Sequence, residues 1–301
     1  MKKKKKMIII LAGVGVIVLA GLFSLVLVKK IKNKLKTKLD IENRMVLPTE
    51  SLSATSAATI QPSLTATPTP KPVSVEDMNK NFGPCGRVFT LMYHHIQSED
   101  VAKKNGQINL TVTPEFLEKQ LQYLKDKNYN VIGMADLNNF FVNGVKLPPK
   151  AVLLTFDDGY KDNYENMYPI LKKFGDRATI FIPTGLLNNP GYLTWDDLNS
   201  MKDLVYFGNH TWSHHSSGGP EEKQDEEIGL ADRQLSEHGF NNSKVFAYPY
   251  GKPSGNAEDV LTKDGYTLAF TTTHGSILCK GKKFELPRIR IGNAPLNAYG
   301  L

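Results

Sequence analysis

The chain has 301 residues, room for one substantial domain and something added, and its 41% hydrophobic and 22% charged content is enough to bury a core. The net charge of +7 is not spread evenly: residues 1–50 hold 12 Lys+Arg and 3 Asp+Glu, leaving 25 against 27 for the rest. Outside the N-terminal end there is no basic footprint for phosphate binding, which excludes nucleic acid as a partner.

In chain order, residues 1–6 are a basic tail, and Met7–Val28 is a 22-residue run without a charged side chain. About 20 apolar residues cross a bilayer core, and the run is followed by Val28-Lys29-Lys30 instead of a small-residue cleavage site. The expectation is one uncleaved transmembrane helix over 7–28. Lysines flank both ends, so counting positives does not orient it. Residues 29–80 read as a spacer, Lys-rich and then rich in Ser, Thr and Pro, of a composition that stays disordered and extended. A spacer of this kind suits an enzyme lifted off a membrane. The expected localisation is therefore the cell membrane, single-pass, with an extracellular catalytic domain over 81–301.

Within that domain short apolar runs alternate with amphipathic stretches. Val88–Tyr93 reads as a strand, and Thr113 caps a helix with Pro114 in its first turn. Strand Asn130–Ile132 and a helix over Met134–Val142 follow, then strand Ala151–Phe156, helix Asn163–Phe174 and strand Ala178–Ile182. Thr194 caps a helix to Met201; strand Val205–Gly208, helix Glu221–Glu237 and strand Val245–Ala247 come next. A helix over Ala257–Lys263 and strands Leu268–Thr271 and Arg288–Ile291 complete the series. Repeated β-then-α units argue for an α/β fold, a distorted or incomplete (β/α) barrel. Cys85 and Cys279 are the two cysteines; a disulfide and two free thiols are both compatible, and without a CxxC a cysteine-ligated zinc site is excluded.

The reactive residues fall just after strands. His94 and His95 follow the first, Asp157-Asp158-Gly159 the Ala151–Phe156 strand, His210 to His215 the Val205–Gly208 strand, and Tyr248-Pro249-Tyr250-Gly251 the Val245–Ala247 strand. Six of the seven histidines lie in such loops, His238 alone on a surface helix. In a barrel these loops share one face, which carries the chemistry. Asp158, His210 and His214 supply three nitrogen and oxygen ligands, the histidines sharing an ion if their loop is helical, and leave positions open for water. Asp157 stays free as a base. Two histidines and a carboxylate also describe a non-haem iron oxygenase; the β/α alternation and the second Asp favour hydrolysis. Trp212 can shape a sugar pocket, whereas Trp195 is better placed in the core and His215 as a surface neighbour.

Leu154-Thr155-Phe156-Asp157-Asp158-Gly159-Tyr160, His210-Thr211-Trp212-Ser213-His214 and Tyr248-Pro249-Tyr250-Gly251 resemble the three motifs of the NodB-homology polysaccharide deacetylases, over roughly Val88 to Ile291. Leu91-Met92-Tyr93-His94-His95-Ile96 resembles the opening of their poly-N-acetylglucosamine deacetylase branch. The resemblance implies hydrolysis of N-acetyl groups on an N-acetylglucosamine polymer, peptidoglycan or exopolysaccharide, with a divalent metal ion, zinc first. It implies Asp157 as base, His94 as general acid with His274 as the rival, and a backbone N–H near Tyr250 for the oxyanion. One departure is Ala247, which stands where the family often carries an Arg orienting the catalytic Asp; Arg288 or Arg290 is the replacement to look for. A catalytically impaired glycan-binding protein is the alternative that this departure suggests.

Overall fold

The structure, a computed structural model, describes residues 73–301. The expected anchor over 7–28 and most of the spacer lie outside the described residues. Among the described residues no helix is long and apolar enough to cross a membrane. The compact unit is Pro70–Leu301, and its first helix, Val75–Phe82, is capped by the Ser74 side chain accepting from Asp77 N–H. The spacer expected through residue 80 therefore ends earlier. Ser74 followed by Glu76 and Asp77 is a capping signal that the Pro-rich context hides.

The strands are β1 (Cys85–Tyr93), β2 (His95–Ile96), β3 (Thr111–Val112), β4 (Asn130–Ile132), β5 (Ala151–Phe156), β6 (Ala178–Ile182), β7 (Val205–Asn209), β8 (Val245–Ala247), β9 (Leu268–His274), β10 (Ile277–Cys279) and β11 (Leu286–Arg290). Seven of them close on themselves, all parallel, in the order β1-β5-β6-β7-β8-β9-β11 and back to β1. β1 makes the closure: Val88 to Tyr93 pair with Ala151 to Phe156 on one edge, and Leu91 and Met92 pair with Ile289 and Arg290 on the other. The expected (β/α) barrel is present, and its distortion is local. β7 meets β8 at one register position, Asn209↔Phe246, while β4 shares with β6 the edge of β5 that faces away from β1.

Side-chain alternation fixes what points inward. Val88, Ala151, Leu153, Phe181, Val245, Ala247, Leu268, Phe270 and Leu286 form one buried cluster, joined by Met134, Leu137 and Phe141 of helix Met134–Asn143. The opposite parity, Leu91, Tyr93, Val152, Leu154, Phe156, Ile180 and Phe207, packs under the outer helices. Helix Pro114–Asp126 shows how those attach: Leu117, Leu121 and Leu124 recur at helical spacing and are buried, with Thr113 capping as expected. Carried one step beyond β1, β5 and β7, the inward parity falls on His94, Asp157 and His210.

Cys85 and Cys279 form a disulfide that ties the start of β1 to the antiparallel β10, settling the two alternatives left open.

Candidate metal and catalytic centre

β5 is buried throughout and apolar but for Thr155, and the chain leaves it with two carboxylates. Asp157 continues the ladder, its N–H donating to Tyr93 O at 3.0 Å. The next residue cannot continue it: Asp158 has φ +76°, a conformation that side chains other than glycine adopt at a cost, so its carboxylate turns across the barrel mouth. Thr211, His214 and Tyr250 share this left-handed geometry, which concentrates backbone strain around one spot.

His210 follows β7 directly, its N–H bonded to Ile182 O. Its Nδ1 lies 2.7 Å from Ala247 O. A carbonyl only accepts, so Nδ1 carries the proton and Nε2 presents its lone pair. That Nε2 lies 3.4 Å from Asp158 Oδ1, and His214 Nε2 lies 3.1 Å from the same oxygen. The loop between the two histidines is not the helix that i, i+4 spacing suggested. It bends at Thr211 and His214, and Glu227 holds it, accepting from Ser213 N–H and Ser213 Oγ–H at 2.8 Å each. One ligand atom from each of Asp158, His210 and His214 falls within 4.8 Å of the others. Two imidazoles and a carboxylate converging, with the His210 tautomer already fixed, make a donor set that fits a divalent ion.

The Arg missing before Tyr248 is supplied by β11. Arg288, fully buried, donates through both terminal nitrogens to the two oxygens of Asp157, 2.7 Å each, and through Nε to Thr271 O at 2.9 Å. Burial works against ionised Asp157, and the paired charge of Arg288 outweighs it, so this carboxyl titrates below its ordinary value.

His94 sits beside these carboxylates. Burial pushes its pKa down to about 4, while Asp157 and Asp158 pull it up and Arg290 and Arg288 reinforce the lowering. His274 does not join. It is exposed at the far end of β9 and lines a separate cleft with Arg87 and Ile277.

A family model described as polysaccharide deacetylase matches residues 144–269. The Bacillus subtilis protein named "Putative polysaccharide deacetylase YxkH" is 30% identical over 206 residues, 67% of this chain and 70% of that one. The chain belongs to the polysaccharide deacetylase family. Its members' chemistry is hydrolysis of an amide bond. The Staphylococcus epidermidis poly-β-1,6-N-acetyl-D-glucosamine N-deacetylase is 26% identical over 230 residues, 67% of this chain and 78% of that one. Among solved structures, the Streptococcus pyogenes deacetylase PplD in complex with acetate superposes with a TM-score of 0.63 at 30% identity, covering 68% of this chain and 92% of that one.

The rim of the deacetylase centre is mostly where the motifs place it. Trp212 is 37% exposed, and its ring lies so close over Gly185 that a Cβ there would approach it to 2.7 Å. Tyr250 is 65% exposed, its ring edge-to-face with His214 at 4.8 Å, and Pro249 is buried beneath. Tyr248 is a correction. Its ring faces outward, into the layer of Phe246, Ala257 and Val260, because it occupies the outward parity after β8. Trp195 stacks on His238 at 3.8 Å against the outer core, and His215 is exposed. The Arg288 clamp, reaching across 131 positions, decides between the two arginines that the sequence left open, whereas Asp162 accepting from His95 Nδ1–H at 2.6 Å across 67 positions had no sequence signal.

Proposed function

We propose that this chain hydrolyses N-acetyl groups from N-acetylglucosamine units of an extracellular or cell-wall polymer, releasing acetate. The observation that carries this is the juxtaposition of Asp157, clamped in its ionised form by Arg288, with the ligand set of Asp158, His210 and His214. The kinship with a poly-N-acetylglucosamine deacetylase supports the substrate class.

Asp158, His210 and His214 would hold the ion, zinc by the character of the donors, and when bound it supplies Lewis-acid polarisation of a carbonyl and of water. Asp157 accepts the proton of the attacking water; Arg288 keeps the carboxylate charged and aimed. His94 delivers a proton to the departing amine. Because burial leaves His94 neutral near pH 7, it acquires that proton during the reaction, a gain that Asp157 and Asp158 favour. A backbone N–H beside Tyr250 would stabilise the oxyanion, and Trp212, Tyr250 and Pro249 would shape the sugar-facing rim.

An anchor over 7–28 and an external catalytic domain complete the proposal. The Cys85–Cys279 disulfide supports it, since such bonds persist in oxidising compartments. The impaired-scaffold alternative rested on the Arg absent at 247, and the Arg288 clamp removes that ground. Mass spectrometry of defined N-acetylglucosamine oligomers after incubation with the purified chain tests the proposal. Stepwise acetyl loss is expected, abolished in Asp157→Asn; undiminished loss in that variant rules the mechanism out.

A further inference from the structure

Beside the centre opens a cleft of about 740 Å³ that the chemistry above does not use. One wall is a stack of three rings: His95 lies on Tyr160 with centroids 3.5 Å apart, and Tyr160 on Tyr192 at 5.5 Å. Backbone pairing fixes the stack, with Tyr160 and Tyr192 bridged antiparallel, Lys161 N–H donating to Gly191 O and Leu193 N–H to Gly159 O. Gly159 follows Asp158 directly, so the cleft wall and one member of the ligand set, Asp158, are built on one loop.

The charges lining the cleft are unequal. Both oxygens of Asp197 take up the Lys161 ammonium, at 2.7 and 2.9 Å. Asp162 accepts from His95 Nδ1–H and Ile96 N–H, and exposed Glu165 makes no ion pair among the described residues. What remains toward the cleft is acidic. His95, 5% exposed, leaves its Nε2 without a hydrogen-bond partner. A buried polar atom without a partner is costly unless something satisfies it. Half-buried tyrosine rings beside carboxylates offer apolar contact to a sugar ring and charge to an ammonium.

We propose that this cleft binds the neighbouring sugar unit of the same polymer chain, and takes it with its amine free. The enzyme would then extend runs of deacetylated units instead of striking isolated ones. This rests on the reading that the substrate is an N-acetylglucosamine polymer.

The test is calorimetric titration of the full chain, wild type and variants, with glucosamine trimer and with N-acetylglucosamine trimer, alongside acetate release from the wild type. Wild type should bind the glucosamine trimer more tightly. Glu165→Gln should weaken that trimer roughly three- to five-fold and leave the acetylated one unmoved. Tyr192→Ala should weaken both by about ten-fold. Equal affinity for the two trimers, or variants that bind like wild type, overturns the proposal even if acetate is released. Selective binding lost in the variants, with no acetate release from any N-acetylated sugar, keeps the cleft and sinks the assigned reaction.

Discussion

At Asp157 two carboxylate oxygens meet two guanidinium nitrogens in a fully buried pair, and geometry there decides whether a base exists at all. Arg288→Lys keeps the charge and loses the fork, so acetate release should fall on the order of 100-fold, which a coupled acetate assay reads directly. Arg288→Met removes the partner of a buried carboxylate and should lower unfolding free energy by about 3–5 kcal/mol in denaturant titrations. Asp157, Asp158, His94, His210 and His214 were legible because each follows a strand. Arg288 was legible only as one of two candidates. Arg288 and Arg290 lie two apart and share one face of β11, so choosing between them requires knowing how far along the strand the Asp157 carboxylate sits, and that is set by pairing with β1 and β9, far away in sequence.

At the scale of elements, the loop carrying His214 depends on a helix that touches no substrate. Glu227 on helix Glu221–Glu237 grips Ser213 by two bonds, so Glu227→Ala should loosen His214 and weaken metal binding about 10- to 100-fold in competition with a chelating dye. The helical loop suggested by spacing fails here because Thr211 and His214 take left-handed backbone angles, favoured by Thr211 N–H donating to Asn209 Oδ1. Helix Trp195–Met201 was read correctly from its capping residues, and it supplies a pH signature. Thr194 N–H and Oγ–H donate to Asp197, which Lys161 also engages. Burial opposes the charge on Asp197, but Lys161 and Thr194 prevail and its carboxyl titrates below the ordinary value. A folded-state pKa below the unfolded one contributes stability above the unfolded pKa and loses it as pH falls through the folded one. Asp197→Asn should therefore cost about 2 kcal/mol at pH 7, and the gap to wild type should close as thermal melts are taken below the ordinary carboxylate range.

For the whole molecule, β/α alternation made the barrel legible and left its closure unread. Two-residue strands such as β2 and β3, and β10 stapled by Cys279, have too little periodicity to stand out. The outward turn of Tyr248 was equally invisible, since a motif names residues without their facing. What the motifs did capture is that side chains from four strand ends converge, and the assigned chemistry depends on that convergence. Titrating metal-stripped protein with zinc while measuring acetate release tests it most directly. Activity should be absent in the stripped protein, rise in proportion to added ion and saturate at a single equivalent per chain; full activity before any ion is added, or saturation at a different equivalence, would contradict it.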